Sequence, residues 1–206
     1  MKKILLSLLL AFVGSNFAVA QYTDKSGIFR VKGIYIDEVN EDGDEGVGAT
    51  IEIALITQEL ESMYQTISFE IGYITSDAED SGIDDDLGFV EGELDTDLIP
   101  LLFNYTIGSH SEYTDFILEG GIGIGGVVVD YDLSFDSSNF GNGSGSDDDF
   151  VFAGQVFGRI GYKLTEEAHV SLGVRYIVSE DAEFFGEEIP DTLNTVAFDV
   201  GLNFAF

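Results

Sequence analysis

Strict two-residue alternation constrains this chain more than any other feature. Along TVAFDVGLNFAF, Val196, Phe198, Val200, Leu202, Phe204 and Phe206 share one face, and Ala197, Asp199, Gly201, Asn203 and Ala205 share the other. Successive side chains of a strand point to opposite faces, so this period specifies a strand with a single apolar face. The pattern recurs seven times upstream. Phe29, Val31 and Tyr35 oppose Arg30 and Lys32; Ile51, Ile53 and Leu55 oppose Glu52 and Ala54; Ile67, Phe69, Ile71 and Tyr73 oppose Ser68, Glu70 and Gly72. Ile99, Leu101, Phe103, Tyr105 and Ile107 oppose Asn104 and Thr106, while Phe116, Leu118, Ile122 and Ile124 oppose Glu119, Gly121 and Gly123. Phe152, Val156, Ile160, Tyr162 and Leu164 oppose Gln155, Arg159 and Lys163, and Val170, Leu172, Val174 and Tyr176 oppose Ser171, Gly173 and Arg175.

Eight strands of roughly nine or more residues match the length a tilted strand needs to cross a bilayer. TQELESMYQ, GSHSEYTD and TEEAH read as compact connections, and the other four as long loops rich in Asp, Gly and Ser. Short turns at one end and long loops at the other, with an even strand count, mark a membrane barrel. The expected fold is all-β: an eight-stranded antiparallel up-and-down transmembrane β-barrel.

Charge and aromatic placement support this reading. Arg30, Lys32, Arg159, Lys163 and Arg175 all fall at non-apolar parity, as do Glu52, Glu70, Glu119 and Asp199. Buried charges are costly unless paired, so these nine are expected to form a charge network in a narrow lumen. With both termini on the inner side, Tyr35, Tyr73 and Tyr176 fall near the outer strand ends. Tyr105, Tyr162, Phe29, Phe116 and Phe206 fall near the inner ends, giving two aromatic girdles. Tyr131 breaks parity after Gly125–Val129, which suggests a bulge or an early strand end. Pro100 removes a ladder hydrogen bond from a strand centre and is expected at a bulge, the alternative being a gap between strands. A soluble sandwich or lipocalin-type barrel would alternate equally well with its apolar face inward, and parity alone does not say which face is inside.

The N-terminal MKKILLSLLLAFVGSNFAVA has two lysines, a short apolar run and Ala18-Val19-Ala20, the layout of a cleaved secretory signal. Residues 1–20 are therefore expected to be a signal peptide and residues 21–206 one barrel domain. Gln21, not Cys, follows the cleavage site, which argues against a lipid anchor. Without Lys2 and Lys3, six basic residues remain against 39 acidic ones, a net charge of −33. That charge repels phosphates, so nucleic acid is not an expected partner. Cysteine is absent, so no disulfide can staple the fold.

DVGLNFAF resembles the C-terminal signal read by the outer-membrane barrel assembly machinery, with Asp199, Gly201, Phe204 and Phe206 in the motif positions. DLIPLLFNYTIG, FILEGGIGIGG and FAGQVFGRIGYKLTEEAHVSLGVRY are similar to parts of small outer-membrane barrels of the OmpW, OmpX and opacity-protein type. The resemblance implies an eight-stranded barrel in the outer membrane, in contact with lipid and lipopolysaccharide, and implies little about activity. OmpW-like barrels are associated with a hydrophobic lumen passing small apolar molecules. The Arg, Lys and Glu at lumen parity depart from that pattern. An eight-strand interior is about wide enough for its own side chains, so a plugged, monomeric barrel is expected.

No catalytic constellation is visible. His110 and His169 both fall in connections on the inner side, and neither sits near a serine nucleophile with an orienting acid. Asp84-Asp85-Asp86 and Asp147-Asp148-Asp149 read as solvated loop runs. DEVNEDGDEG places Asn40, Asp42 and Asp44 at alternate positions, a weak match to a calcium loop because Glu45 stands where Gly belongs. No cofactor is expected beyond Ca²⁺ or Mg²⁺ held loosely by acidic loops. The expected role is structural or interactive, in the cell envelope. The alternatives are small-solute transport through the barrel and a secreted soluble β-protein.

Overall fold

The computed structural model describes residues 27–36, 45–60, 62–84, 88–111, 114–137, 141–180, 182–184, 187–189 and 194–205. The alternating segments become β1 (Ile28–Ile36), β2 (Gly46–Leu60), β3 (Met63–Asp84), β4 (Gly88–Ser111), β5 (Thr114–Ser137), β6 (Gly141–Lys163), β7 (Ala168–Ser179) and β10 (Thr195–Ala205). A small hairpin, β8 (Ala182–Phe184) with β9 (Glu187–Ile189), lies between β7 and β10. The eight long strands close into one antiparallel up-and-down barrel in the order β1-β10-β7-β6-β5-β4-β3-β2. The seam joins β1 to β10, running from Ile28 opposite Ala205 to Ile36 opposite Ala197.

The apolar parity faces out. Ile124, Phe152, Leu172, Val200 and Phe198 are all at least half exposed, whereas Arg30, Lys32, Glu52 and Glu70 are sealed inside. This is the inverse of a water-soluble barrel, whose apolar side chains would fill the core.

The strands differ in length for a reason legible in the register. β3, β4, β5 and β6 run 22–24 residues, against 9 for β1 and 11 for β10. Gly46, the first residue of β2, faces Ser76, so β3 continues beyond its β2 neighbour while still pairing with β4 up to Asp84 opposite Gly88. The four long strands therefore extend past the closed ring as a sheet, a wing, at the end away from Ile28 and Ala205.

Five expectations are corrected here. Only residues 85–87 and 138–140 join β3 to β4 and β5 to β6, so two connections read as long loops are tight. Asp84 ends a strand and Asp147, Asp148 and Asp149 lie within β6, because a ladder of backbone bonds to β5 outweighs the low strand propensity of Asp. Tyr131 lies on a continuous strand: the β5–β6 register runs without a shift from Phe116 opposite Tyr162 to Ser137 opposite Gly141, and the Tyr131 ring points inward. Pro100 causes no bulge either, since Ile71 opposite Leu101 and Ile74 opposite Leu98 keep one register across it. A bulge does occur in β2, between Ala54 and Ile56, where Leu55 is the extra residue rather than a regular member of the Ile51–Ile53 face.

Candidate functional site

The interior is stacked in layers along the barrel axis. At the end bearing the short turns it is lined by neutral polar groups, among them Thr66, Thr106, Asn203 and the Tyr64 hydroxyl, which donates to Glu119. Asn203 Nδ2 donates to Ser171 Oγ at 2.9 Å.

The middle layer is an ion-pair lattice. Arg30 reaches Glu52 at 2.6 Å and also binds Glu119. Lys32 bridges Glu52 at 2.8 Å and Glu70 at 2.9 Å. Arg175 spans Glu70 at 2.8 Å and Asp199 at 2.9 Å. Ser68, Asn104 and Gln155 fill in: Ser68 donates to Glu52, Asn104 to Glu70, and Gln155 accepts from Arg175 while donating to Asn104. Arg159 occupies the hub, with its three nitrogens 3.4–3.7 Å from Glu52, Glu119 and Asp199 and its guanidinium 4.1 Å from the Phe157 ring centroid. Four cations (Arg30, Lys32, Arg159, Arg175) thus meet four carboxylates (Glu52, Glu70, Glu119, Asp199), and the lattice is neutral as a set. Charge balance is what makes such burial tolerable, because any unpaired member would carry its full desolvation cost.

Eight of the nine residues assigned to the lumen from parity are brought together in this way. Lys163 is not among them: it is half-buried at the turn end of β6, opposite His169, away from the lattice. Inward glycines make the room. A Cβ on Gly173 would lie 2.6 Å from Asp199 Oδ1, and one on Gly123 would lie 2.1 Å from Asn104 Oδ1.

The outer third of the interior is apolar, and parity reasoning missed it. Ile34, Ile36, Ile74, Leu98, Val129 and Ile177 are buried there in one cluster with Leu102, Val127, Tyr131, Val151, Ala153 and Ala197. The signal was present as segments apolar at both parities, GIYI, LIPLL, GGVVV and YIV, the mark of strands buried on both faces. The departure from a hydrophobic lumen inferred from Arg, Lys and Glu therefore holds for the middle of the barrel and not for its outer third.

The C-terminal motif is built into the seam. Asp199 is held by Arg175, a Cβ on Gly201 would lie 2.9 Å from Ser171 Oγ and 3.1 Å from Lys32 Cγ, and Phe204 stands outward opposite Phe29. Phe206 lies outside the described residues, as do Asn40, Asp42, Asp44 and the proposed signal segment. Among the described residues, no group of three or more His, Cys, Asp or Glu is arranged to hold a metal ion. Acidic side chains do align on the outward face of the wing. Asp97, Asp130 and Asp148 stand in one cross-strand row, Asp77, Asp95 and Asp132 in the next, and Tyr73 donates a hydrogen bond to Asp97 at its lower edge.

No protein-family model matches the sequence, and no curated protein matches it. Among solved structures, the chain is similar to a major outer membrane protein from Thermus thermophilus, with 12% identity, 88% of this chain and 100% of that chain covered, and a TM-score of 0.48. It is similar to Neisserial surface protein A with 11% identity, 89% and 100% coverage and a TM-score of 0.47. The outer membrane protein OprG from Pseudomonas aeruginosa matches with 15% identity, 89% and 98% coverage and a TM-score of 0.42. The likeness is one of general architecture.

Proposed function

We propose that this protein is a small barrel of the bacterial outer membrane, exported by its N-terminal segment, with a closed lumen and an acidic outer surface. Its role is structural or interactive rather than catalytic. One observation carries the reading: polarity is inverted across the barrel wall, with an apolar belt outside and a neutral ion-pair lattice inside. Such a wall has no stable place in water, where an exposed apolar patch of this extent would drive aggregation, and a natural one in lipid. The outward Tyr73, Tyr176 and Tyr35 mark the outer interface, and the Phe116–Tyr162 ring pair, 5.4 Å apart, marks the inner one.

Closure comes from two barriers in series. The lattice fills the middle of the lumen, and a buried apolar layer around Leu98 and Val129 lies on its outer side. Lipid and lipopolysaccharide are the surroundings of the belt, the barrel assembly machinery reads the closing strand, and the chain acts as a monomer. Ca²⁺ or Mg²⁺ serve as loosely held counter-ions of the wing. Planar-bilayer recording of the refolded mature chain tests the closed state, with no steady conductance expected. Conductance steps altered by Arg159→Gln or Glu119→Gln would refute it and favour solute passage. Recovery of the native protein in the soluble fraction, without heat-modifiable gel migration, would refute the membrane assignment itself.

A further inference from the structure

The outward face of the wing carries a polar dish near its tip, with a volume of about 540 Å³. That lies within the rough range of 300–1,000 Å³ seen for small-molecule sites. Two cross-strand rows wall it. Glu93, Ser134 and Ser144 face one another across β4, β5 and β6 in the first row, and Asp136 faces Asn142 in the second. Alternation sets all five on the same side of the sheet as Asp95, Asp132 and Ser146, and all five are exposed. The backbone of Gly92, Phe135 and Gly143 runs between the rows as the floor. None of these three puts a side chain into the dish. The Phe135 ring turns to the opposite face and lies over Gly143, where a Cβ would meet its Cζ at 2.3 Å. That contact braces β5 against β6 beneath the floor, as aromatic rings laid over edge-strand glycines do.

The five side chains supply two hydroxyls, one amide and two carboxylates. Among the described residues, none of them makes a side-chain hydrogen bond or ion pair, and no basic residue lines the dish. Side chains directly opposite on one face stand about 4.5–5.5 Å apart and diagonal neighbours about 7–8 Å, so Glu93 and Asp136, a diagonal pair, can hold one group between them. Carboxylates without a counter-charge favour a cation there and disfavour an anion. Two of them fall short of a metal cage, and a bare amine would leave Ser134, Ser144 and Asn142 unused. A ligand with one ammonium among several hydroxyls uses all five.

We propose that this dish binds a saccharide carrying a free primary ammonium, an unacetylated hexosamine unit, with the ammonium between Glu93 and Asp136 and the ring hydroxyls on Ser134, Ser144 and Asn142. Such binding gives the interactive role proposed above its ligand class. It rests on that reading, because the wing meets saccharides only where it stands outside the membrane. Glu93 lies five residues of β4 beyond Leu98 in the apolar layer, about 17 Å at the rise of a strand.

Saturation-transfer difference NMR on the refolded mature chain in micelles tests this, with methyl β-D-glucosaminide, its N-acetyl derivative and methyl β-D-glucoside as probes, at about pH 6 where the amine is protonated. The glucosaminide should bind about three- to tenfold more tightly than either neutral sugar, the reach of one or two exposed charge pairs. Added salt should narrow that gap. Glu93→Gln/Asp136→Asn should abolish the preference and keep weak binding of all three sugars. Ser144→Tyr, which fills the dish from an exposed position, should abolish binding altogether, with heat-modifiable migration showing the barrel intact. Asp130→Asn/Asp148→Asn removes the same charge four residues lower, about 13 Å away, and should leave the preference within about twofold. Equal affinity for glucosaminide and glucoside, binding that survives Ser144→Tyr, or a preference lost as fully in Asp130→Asn/Asp148→Asn would each overturn the site with the membrane reading intact. A soluble chain that still binds the glucosaminide in the dish would overturn the membrane reading alone.

Discussion

Neutralising Glu52 should unbalance the barrel interior, and the size of the effect follows from its contacts. Its carboxylate accepts from Arg30 at 2.6 Å, Lys32 at 2.8 Å and Ser68 at 2.6 Å, and lies 3.4 Å from Arg159. Glu52→Gln keeps the volume but leaves four cations facing three carboxylates at positions that are almost wholly buried. Breaking one side of a buried pair costs about 3–5 kcal/mol, most of it the desolvation of the partner left behind. Equilibrium urea unfolding of the refolded barrel in lipid should show that loss. The decisive variant is Lys32→Met/Glu52→Gln, which restores three cations against three carboxylates with an apolar chain in the place of Lys32. It should recover at least half of the loss, a coupling of about 2 kcal/mol or more between residues in direct contact. A Glu52→Gln loss below about 1 kcal/mol, the level of an exposed pair, would refute the lattice as a buried network. A double variant less stable than Glu52→Gln alone would refute charge balance as its organising principle.

Four further predictions concern other positions. Gly173→Ala should destabilise the barrel by about 1–3 kcal/mol in thermal melting, because its Cβ meets an Asp199 carboxylate that Arg175 holds in place. Gly154→Ala, whose Cβ meets nothing closer than 3.7 Å, should be within about 0.5 kcal/mol of the parent. Leu98→Ala should cost about 2–5 kcal/mol, as its side chain is 1% exposed within the apolar layer, and an unchanged melting temperature would contradict close packing there. In the wing, beyond the Tyr73 girdle, partial desolvation and then the facing Asp77 and Asp132 carboxylates hold Asp95 above the usual carboxylate range. A raised folded-state value makes the wing gain stability as pH falls through it and lose stability as pH rises, and added salt should act in the same sense as acid. Asp95→Asn should flatten both dependences in hydrogen exchange of β4 amides, with a gain of at most about 1 kcal/mol at neutral pH. Faster exchange in that variant would contradict like-charge repulsion.

Much of the architecture is legible in the sequence because a strand writes its geometry locally. Period two assigns Phe198, Val200 and Leu202 to one wall and Arg30, Glu52, Glu119 and Arg159 to the other without knowledge of any partner. That legibility fades where both parities turn apolar. At Tyr131 and along GGVVV, alternation carries no information, and an inward aromatic reads as a break in the strand. It fades again at SGSDDD, where composition suggests a loop but the Asp130–Asp148 and Asp132–Ser146 register extends the ladder. Lys163 shares the lumen parity yet lies at a strand end, since parity reports direction and not depth.

The chain by itself determined the number of long strands, their order, the separation of apolar from charged faces and the excess of negative charge. All of these are properties of residues near one another in sequence. Which face is inside is not such a property, because inverting a barrel leaves every parity unchanged; closure of the ring decided it. The pairings Arg175–Glu70, Arg30–Glu119 and Arg159–Asp199 join strands far apart in sequence, across the lumen or between strands that meet only when the ring closes. The same holds for the layering of apolar over charged interior and for the acidic rows of the wing. Each depends on register between neighbouring strands, and register exists only once the backbone hydrogen bonds of the sheet have formed.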